Sequence, residues 1–224
     1  MFIKNIKQTL PGVYEITPDT GSAFFLRKDY LSLVNEEKLL PFGYGRLDVD
    51  FENIQPKEGD SGFFNEEELA DLLNAALIYS AEKAAMMYLA RAEQCRSGLY
   101  KKLLAKNFDK LACNTALDYL ESVNYLDDYR FSVAWLRNRS IDHFEGRTRL
   151  CAELLNRGIS KNIASQSLDE FFSTHDELEL CRKSFSKTFK LKKDPAKIKS
   201  SLLRKGFTLK QISVVFKENS ISEK

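Results

Sequence analysis

The chain has 224 residues, of which 43% are hydrophobic and 29% are charged. This composition is typical of a globular chain that buries a core, so it excludes an intrinsically disordered protein, and the length favours one ordinary domain with something smaller beside it. The start, MFIKNIKQTLPG, lacks the apolar core of a secretory signal, and no apolar run is long enough for a membrane span. We therefore expect a cytoplasmic protein whose four cysteines, at positions 95, 113, 151 and 181, are reduced and packed in the core.

The net charge of +2 hides an uneven distribution. Residues 1–80 hold 7 Lys and Arg against 14 Asp and Glu, whereas residues 81–224 hold 27 against 18. Within the second part, residues 182–210 hold eleven basic residues and one acid, Asp194. Such a basic stretch favours a partner that carries phosphate groups.

The first 62 residues form a small β-rich segment in this interpretation. Four of the five prolines and six of the ten glycines lie before residue 63, which is typical of turn-rich structure. Val13 to Thr17 and Ser22 to Arg27 flank residues 18–21 (PDTG), and this pattern predicts two strands and a turn. Arg46 to Glu52 alternates apolar and acidic residues and predicts a further strand.

A long helix is predicted after this segment. Asn65 is a helix cap, and the three carboxylates of Glu66–Glu68 lie in the first turn, where the helix dipole favours negative charge. The helix should run to about Glu93. Its predicted inward stripe is Leu69, Leu72, Leu73, Ala76 and Leu77.

A seven-residue pattern then occurs three times. Residues 103–109 (LLAKNFD) recur as residues 154–160 (LLNRGIS) and 202–208 (LLRKGFT), at offsets of 51 and 48. Two leucines expected in the core are followed by a basic residue, by an Asn or Gly that ends a helix in the left-handed conformation, and by an apolar plug. The last residue of each copy (Asp109, Ser160, Thr208) is a helix cap.

Each copy therefore predicts a middle helix of about a dozen residues, a three-residue turn and a third helix. An apolar residue lies four positions before each leucine pair, and another lies nine positions after each plug; they are Leu99, Leu150 and Ile198, then Leu117, Leu168 and Phe216. Cys95, Gly146 and Asp194 mark the starts of the middle helices. A further helix is predicted ahead of each: the end of the long one, Asp128 to Arg139, and Leu178 to Phe189.

The predicted fold is therefore mostly α-helical. Three tandem three-helix repeats of helix-turn-helix type stack into a curved array, preceded by the small β-sheet segment. The predicted boundaries are 1–62 for the β-rich segment, 63–123 for the long helix and first repeat, 124–173 for the second repeat and 174–220 for the third.

Enzymatic chemistry is not indicated. A GxxxxGK[ST] loop for nucleotide phosphates is absent, and His143 and His175 have no adjacent Ser or Cys motif. The alternation at Asp48, Asp50 and Glu52 indicates a solvated strand face rather than a cation site. We predict neither catalysis nor a cofactor or metal.

Asp127 and Asp128 allow two interpretations. Paired carboxylates are typical of acid and base catalysis, but this pair also opens a helix that carries Phe131, Ala134 and Trp135 inward. We favour capping, because the exposed N–H groups of a helix start attract negative charge. Trp135 is assigned to the core rather than to a partner contact.

Two groups of basic residues have few acids near them in the sequence. The first is Lys190, Lys192, Lys193, Lys197, Lys199, Arg204 and Lys205, and the second is Arg137, Arg139, Arg147 and Arg149. A charge run is usually a solvated face, so solvation and contact with phosphate or an acidic surface stay open as alternatives. If about six of these residues met DNA phosphates, the log-log salt slope of binding would be on the order of −5.

Five segments in this order resemble the RecX family of recombination regulators. They are residues 89–93 (LARAE), 99–103 (LYKKL), 125–131 (YLDDYRF), 137–139 (RNR) and 153–159 (ELLNRGI). The YLDD-x-RF and ELL-x-RGI segments are the most specific. The resemblance covers about residues 66–220, and family members with an N-terminal β segment would account for residues 1–60.

The resemblance implies a DNA-repair protein of the SOS response that binds the RecA recombinase filament on single-stranded DNA. It implies restraint of filament growth, ATP hydrolysis and strand exchange by a monomer, with single- or double-stranded DNA as a further partner. The residues expected to bind the protein partner are Arg91, Lys101, Lys102, Asp127, Asp128, Arg130, Arg137, Arg139, Arg147, Arg149 and Arg157. The residues expected to bind nucleic acid are Lys190, Lys192, Lys193, Lys197, Lys199, Arg204 and Lys205.

The chain departs from the family pattern at two places. Asn124 replaces the usual Gly before the YLDD segment, although Asn can adopt the left-handed conformation. Cys95 replaces the serine that caps the first middle helix, and Gly98 replaces the acid three residues later. We therefore expect that helix to be frayed at its start.

Two other functions stay open. A stand-alone DNA-binding protein would dock its helix-turn-helix units on duplex or single strands. A generic protein scaffold would pair the basic stretch at 182–210 with the acidic first 80 residues. DNA affinity with a steep salt dependence and no effect on RecA would favour the stand-alone DNA-binding protein. Deletion of residues 1–60 would test the scaffold.

Overall fold

A computed structural model describes residues 3–40, 42–43, 63–191 and 194–220. The described residues fall into two compact units. The first comprises those within Met1–Ala90 and Tyr100–Tyr125, and the second comprises those within Arg91–Leu99 and Leu126–Lys224. The boundaries predicted from the repeat pattern stay a prediction.

Several sequence predictions lie outside the described residues. These are the strand at Arg46 to Glu52, the carboxylates Asp48, Asp50 and Glu52, and the lysines Lys192 and Lys193.

Four short antiparallel strands form a sheet near the start of the chain. They are β1 (Ile3–Leu10), β2 (Val13–Pro18), β3 (Phe24–Arg27) and β4 (Phe42–Gly43), in the spatial order β3-β2-β1-β4. The predicted pair β2 and β3 is confirmed, with Ile16 opposite Phe24. Strand β1 was not predicted, because an irregular register between Ile3 and Asn5 places both Ile3 and Ile6 in the core and hides the period of two.

Helix α1 (Glu66–Leu89) packs on this sheet and begins with the predicted cap. The Asn65 side chain accepts from the Glu68 N–H, and the Glu68 carboxylate accepts from the Asn65 N–H. The predicted inward stripe was partly wrong: Leu72 is buried, but Leu73 and Leu77 are 47% and 59% exposed. The buried face instead carries small residues, including Ala75, Ala81 and Ala85, which allow the sheet and α3 to approach closely. The helix also ends at Leu89, four residues before the predicted end.

A buried ion pair ties the sheet of the first unit to α1. Two guanidinium nitrogens of Arg27 donate to the Glu82 carboxylate at 2.8 and 2.5 Å, and the Tyr30 hydroxyl donates to the same carboxylate at 2.8 Å. The hydrogen bond to Glu82 raises the pKa of Arg27. Burial raises the pKa of Tyr30, and the hydrogen bond that Tyr30 donates to Glu82 raises it further. Glu82 is 5% exposed, so its charge is held inside the protein by these two partners.

Asp71 anchors the loop that follows the 3-10 helix Lys28–Tyr30. Its carboxylate accepts from the backbone N–H groups of Ser32, Leu33 and Val34 and from the Ser32 hydroxyl. Burial alone would raise the pKa of Asp71, but the hydrogen bonds from the loop outweigh burial and lower it. A second 3-10 helix, Glu36–Leu39, follows.

The rest of the described chain is helical, which confirms the mostly α-helical fold. The helices after α1 are α2 (Arg96–Leu104), α3 (Lys110–Ser122), α4 (Asp128–Asp142), α5 (Arg147–Asn156), α6 (Lys161–Thr174), α7 (Glu177–Leu191), α8 (Pro195–Arg204) and α9 (Leu209–Glu218). The middle helices α2, α5 and α8 have 9 or 10 residues, fewer than the predicted dozen. In the first unit α3 packs on α1, and in the second unit α4 packs on α6 while α7 packs on α8 and α9.

The predicted ends and starts around the three turns are confirmed. Asn107, Gly158 and Gly206 end α2, α5 and α8 with φ values of 64°, 85° and 89°. Asn124 is also left-handed, with φ of 59°. The side chains of Asp109, Ser160 and Thr208 accept from backbone N–H groups at the starts of α3, α6 and α9.

The leucine pairs differ from the prediction. The first leucine of each pair (Leu103, Leu154, Leu202) is fully buried, but Leu155 and Leu203 are 43% and 42% exposed. Consecutive residues of a helix point about 100° apart, so only one of the two can face the core. The second leucine of the pair is therefore a surface residue in α5 and α8.

Cysteine packing largely follows the prediction. Cys95, Cys113 and Cys181 are buried and Cys151 is half-buried, and all four are free thiols. Burial raises the pKa of Cys181 to about 11. None of the described helices combines the length and the apolarity that crossing a membrane requires.

Candidate functional site

Two middle helices are capped by carboxylates from elsewhere in the sequence. The Arg96 N–H at the start of α2 donates to Asp128 at 2.8 Å, and the Arg147 N–H at the start of α5 donates to Glu177 at 2.8 Å. Asp128 and Glu177 are the first residues of α4 and α7. The first helix of one predicted repeat thus caps the middle helix of the repeat before it.

This arrangement corrects the expectation of a frayed α2. Cys95 supplies no carboxylate or hydroxyl cap, but Asp128 accepts the hydrogen bond that such a residue would have accepted. Asp127, in contrast, caps its own helix by accepting from the Tyr129 and Arg130 N–H groups. In the last predicted repeat, Asp194 caps α8 itself, and Pro195 occupies its first turn.

The starts of α2 and α5 each make a close contact with the turn after the next middle helix, and we name these two contacts the first and second seams. In the first seam the start of α2 lies against the turn after α5, and a Cβ placed on Gly158 would lie 2.5 Å from the Ser97 Cβ. In the second seam the start of α5 lies against the turn after α8. There the Gly146 N–H donates to the Lys205 carbonyl at 2.8 Å, and a Cβ placed on Gly206 would lie 2.4 Å from the Arg149 nitrogen.

Five charged residues beside the seams form an arginine–glutamate network. Two nitrogens of Arg139 donate to Glu145 at 2.7 and 3.1 Å. Arg149 lies 2.5 Å from Glu153 and 4.0 Å from Glu145, and Arg157 donates to Glu153 at 2.8 Å. Two carboxylates therefore hold three guanidinium groups in fixed positions on one surface of the second unit.

Trp135 forms the apolar support of this network. The guanidinium carbons of Arg139 and Arg157 lie 5.5 and 4.6 Å from the centroid of its ring, within cation–π range. The side chain also packs against the core of the second unit and is half-buried. Trp135 thus contributes to the core, as predicted, and also positions two candidate partner-binding residues.

The network shifts the ionisation of its members. The hydrogen bond to Glu145 raises the pKa of Arg139. The hydrogen bond from Arg157 lowers the pKa of Glu153, and the nearby charges of Arg149, Arg157 and Arg139 lower it further. Arg139 and Glu153 are therefore both charged at neutral pH.

The other predicted partner-binding residues of α4 and α5 are also paired. Arg130 donates to Glu93 at 3.0 Å, Arg137 lies 3.7 Å from Glu170, and Arg147 donates to Asp169 at 2.5 Å. Few acids lie near Arg137 and Arg147 in the sequence, but folding brings distant acids to them and to Arg130.

Three predicted residues lie around α1 and α2. Arg91 and Lys101 are exposed, and Lys102 is half-buried with its ammonium group 4.8 Å from the centroid of Tyr88. Lys101 and Lys102 belong to the first unit, whereas the arginine–glutamate network lies within the second.

The predicted nucleic-acid residues are spread over α7 and α8. Lys190 and Arg204 are exposed, Lys199 is half-buried, and Lys197 lies 4.0 Å from Asp194. Lys205 is half-buried and donates to the Ser184 hydroxyl at 2.9 Å. Of these, Arg204 and Lys205 line a common cleft with Arg149 and Glu145.

The acids of the site were not predicted from the sequence. Glu145 is 9% exposed, and its role is to hold Arg139 rather than to face solvent. The only available signal for Glu153 was its spacing of four residues from Arg149 and from Arg157, which is typical of helix ion pairs.

No family model matches the chain. The chain is 35% identical over 134 residues to regulatory protein RecX of Treponema pallidum, a match that covers 60% of this chain and 82% of that protein. The chain belongs to the RecX family. It is also 25% identical over 201 residues to regulatory protein RecX of Clostridium botulinum, which covers 87% of both chains.

Two solved RecX structures share the fold. A crystal structure of regulatory protein RecX has a TM-score of 0.71 at 18% identity and covers 97% of this chain. RecX from Lactobacillus salivarius has a TM-score of 0.56 at 22% identity and covers 64% of this chain. Both the relatives and the first of these structures are named regulatory proteins.

Proposed function

We propose that this chain is a regulator that binds the RecA recombinase filament on single-stranded DNA and inhibits filament assembly, ATP hydrolysis and strand exchange. The observation that carries the proposal is its 35% identity to a regulatory protein RecX across 134 residues. The proposal includes a monomeric, cytoplasmic protein of DNA repair that acts without a cofactor.

The arginine–glutamate network supports contact with an acidic protein surface. Arg137 and Arg149 are 72% and 45% exposed, although each has a carboxylate neighbour. A guanidinium that is already oriented by one carboxylate loses little conformational freedom when a second acid on a partner approaches. Arg139, at 24%, is more enclosed, so we assign it to positioning its neighbours rather than to direct contact.

Sedimentation with preformed RecA filaments tests this proposal. The variant Arg137→Gln/Arg147→Gln/Arg149→Gln should bind the filament about tenfold more weakly, as expected for several oriented charge contacts. The matched control Lys161→Gln/Lys210→Gln/Lys217→Gln removes the same charge from exposed residues of α6 and α9 and should bind like the wild type. Equal binding by wild type, variant and control would contradict the proposal.

A stand-alone DNA-binding protein is the second candidate function. The pairs α5–α6 and α8–α9 each consist of two helices joined by a short turn, and a helix-turn-helix unit can dock on DNA. Uniform, strongly salt-dependent binding to bare DNA, with no change in RecA activity at the same occupancy, would favour this function over the first.

A further inference from the structure

The second seam is bordered by a shallow, solvent-open depression of about 360 Å³, which we call the cleft. Its walls are Arg149 from α5, Ser201 and Arg204 from α8, and Lys205 from the turn after α8, with Glu145 beside them. Three cations and one carboxylate give these five positions a formal charge of +2. Arg139 already donates two hydrogen bonds to the carboxylate of Glu145. The charges of the cleft that remain open to a ligand are therefore positive, and they would attract an anion.

The first seam provides an internal comparison. Through the offsets of 51 and 48, the cleft residues Glu145, Arg149, Ser201, Arg204 and Lys205 correspond to Gln94, Gly98, Glu153, Asn156 and Arg157. The corresponding five positions of the first seam have a formal charge of zero, since Glu153 offsets Arg157. Close packing of two helix ends therefore does not require the positive charge of the second seam.

Two of the three cations of the cleft are held in place by the fold. Arg149 is bound by Glu153 at 2.5 Å, and its backbone lies so near Gly206 that no Cβ fits between them. Lys205 is held by its hydrogen bond to Ser184. Arg204 is exposed and forms no ion pair with the part of the chain that the structure describes, so it is available for a ligand.

Lys205 also has an unfavourable environment that an anion would relieve. Burial lowers the pKa of Lys205, and the nearby positive charge of Lys187 lowers it further, although Glu145 acts in the opposite direction. Lys187 itself donates to the Asp142 carbonyl at 3.2 Å and lies 4.5 Å from the ring centroid of Phe144. A bound anion would favour the charged form of Lys205.

We propose that this cleft binds one or two consecutive phosphates of a nucleic-acid backbone, with Arg149, Arg204 and Lys205 as the contacts and the Ser201 hydroxyl as a further donor. Guanidinium groups match the oxygens of a phosphate, and contacts to phosphate fix the register of a nucleic acid without reading its sequence. Arg149 borders both the arginine–glutamate network and the cleft, so the tests of the cleft leave it unchanged. The choice of single-stranded DNA as the ligand rests on the proposed function.

Fluorescence anisotropy with a labelled oligothymidine tests the cleft in the absence of any recombinase. The variant Arg204→Gln/Lys205→Gln should bind about tenfold more weakly at low salt. Its log-log salt slope should be smaller by about 1.4, which corresponds to two lost contacts on a single strand. The control Lys161→Gln/Lys210→Gln removes the same charge from exposed residues of the second unit and should bind like the wild type. Equal losses in the variant and the control would overturn the proposal.

A second pair of variants tests the cleft without replacing Lys205, which is itself half-buried and bonded to Ser184. Ser201→Glu places in the cleft the carboxylate that the first seam has in Glu153, and it should weaken DNA binding about fivefold by charge repulsion. Ser200→Glu adds the same charge at the neighbouring exposed position outside the cleft and should change binding little. Unchanged binding by Ser201→Glu would also overturn the proposal.

Competition with inorganic pyrophosphate separates a backbone site from a site for free phosphate. We expect pyrophosphate to displace the oligonucleotide only as well as potassium chloride of the same ionic strength does. Stronger displacement would assign the cleft to a small phosphate ligand instead. Because the assay contains no RecA, a failure of the cleft and a failure of the proposed RecA inhibition are separate results.

Discussion

The two units use their acidic residues in opposite ways. In the first unit Glu82 and Asp71 are 5% and 6% exposed, and their partners lie in the sheet and in the loop that follows it. In the second unit Glu145 and Glu153 hold arginines whose guanidinium groups still reach the surface. Carboxylates of the first kind stabilise a core, and those of the second kind orient a surface. Substitution of the buried acids in the first unit should therefore change stability. Substitution in the arginine–glutamate network of the second unit should change partner binding.

The largest expected effect tests the core role of Glu82. Glu82→Ala leaves the half-buried Arg27 without its carboxylate partner, and breaking such an enclosed ion pair costs about 4 kcal/mol of unfolding free energy. Glu67→Ala, on the exposed side of the same helix, should cost less than about 0.5 kcal/mol. Urea unfolding measures both, and a loss below about 1 kcal/mol for Glu82→Ala would show that the pair does not hold the sheet to α1.

The next effect tests how tightly the second seam is packed. Gly206→Ala places a methyl group 2.4 Å from the Arg149 nitrogen at a residue with φ of 89°, so we expect a loss of about 3 kcal/mol. Gly21→Ala is the matched control, because Gly21 also has a positive φ, of 95°, but no atom lies within 4 Å of the added methyl group. That control should lose only about 1 kcal/mol from backbone strain. Similar losses of thermal stability in the two variants would mean that the second seam accommodates the added methyl group.

A smaller effect tests the cap that α4 provides for α2. Asp128→Ala removes the acceptor for the Arg96 N–H and should cost about 1 kcal/mol. Asp128→Asn keeps an acceptor oxygen and should cost less.

The pH dependence of stability tests the ionisation of Asp128 separately. Burial raises the pKa of Asp128, so the folded protein favours the protonated carboxyl. This contribution to stability is present below the ordinary pKa and is lost as the pH rises through the raised one. The Asn variant lacks this loss, so its deficit relative to the wild type should shrink from pH 3 to pH 7, and a constant deficit in urea unfolding would contradict the assignment.

The smallest effect concerns the thiols of the second unit. Cys181 is buried and its pKa is raised to about 11, so little thiolate forms at pH 8. Cys151 is half-buried and should react with N-ethylmaleimide first. Peptide mass spectrometry after short exposures measures the order, and equal labelling of the two cysteines would indicate that the core of the second unit opens readily.

Local signals in the sequence were sufficient for much of the fold. The left-handed residues Asn107, Gly158 and Gly206 and the caps that follow them depend on backbone chemistry within a few positions, so their pattern is visible in one dimension. Strand β1 was missed because its register irregularity breaks the periodicity. Leu73 and Leu77 were misplaced because the packing of alanines, rather than leucines, decides which face of α1 is buried.

The candidate site depends on distant pairs and was less predictable. The basic residues were identified, but the carboxylates that hold them were not, because Arg130 and Glu93 or Arg147 and Asp169 become neighbours only in the folded chain. The cap of α2 by Asp128 is another such pair. Composition predicted the sign of the surface charge, and tertiary structure determines which cations are available.

ATP hydrolysis by the cognate RecA on single-stranded DNA, with this protein titrated at substoichiometric amounts, tests the proposed function most directly. We predict inhibition that deepens with dose. The arginine variant at positions 137, 147 and 149 should need a higher dose than the lysine control at positions 161, 210 and 217. Hydrolysis that stays unchanged at every dose, for a protein that remains folded, would contradict the account.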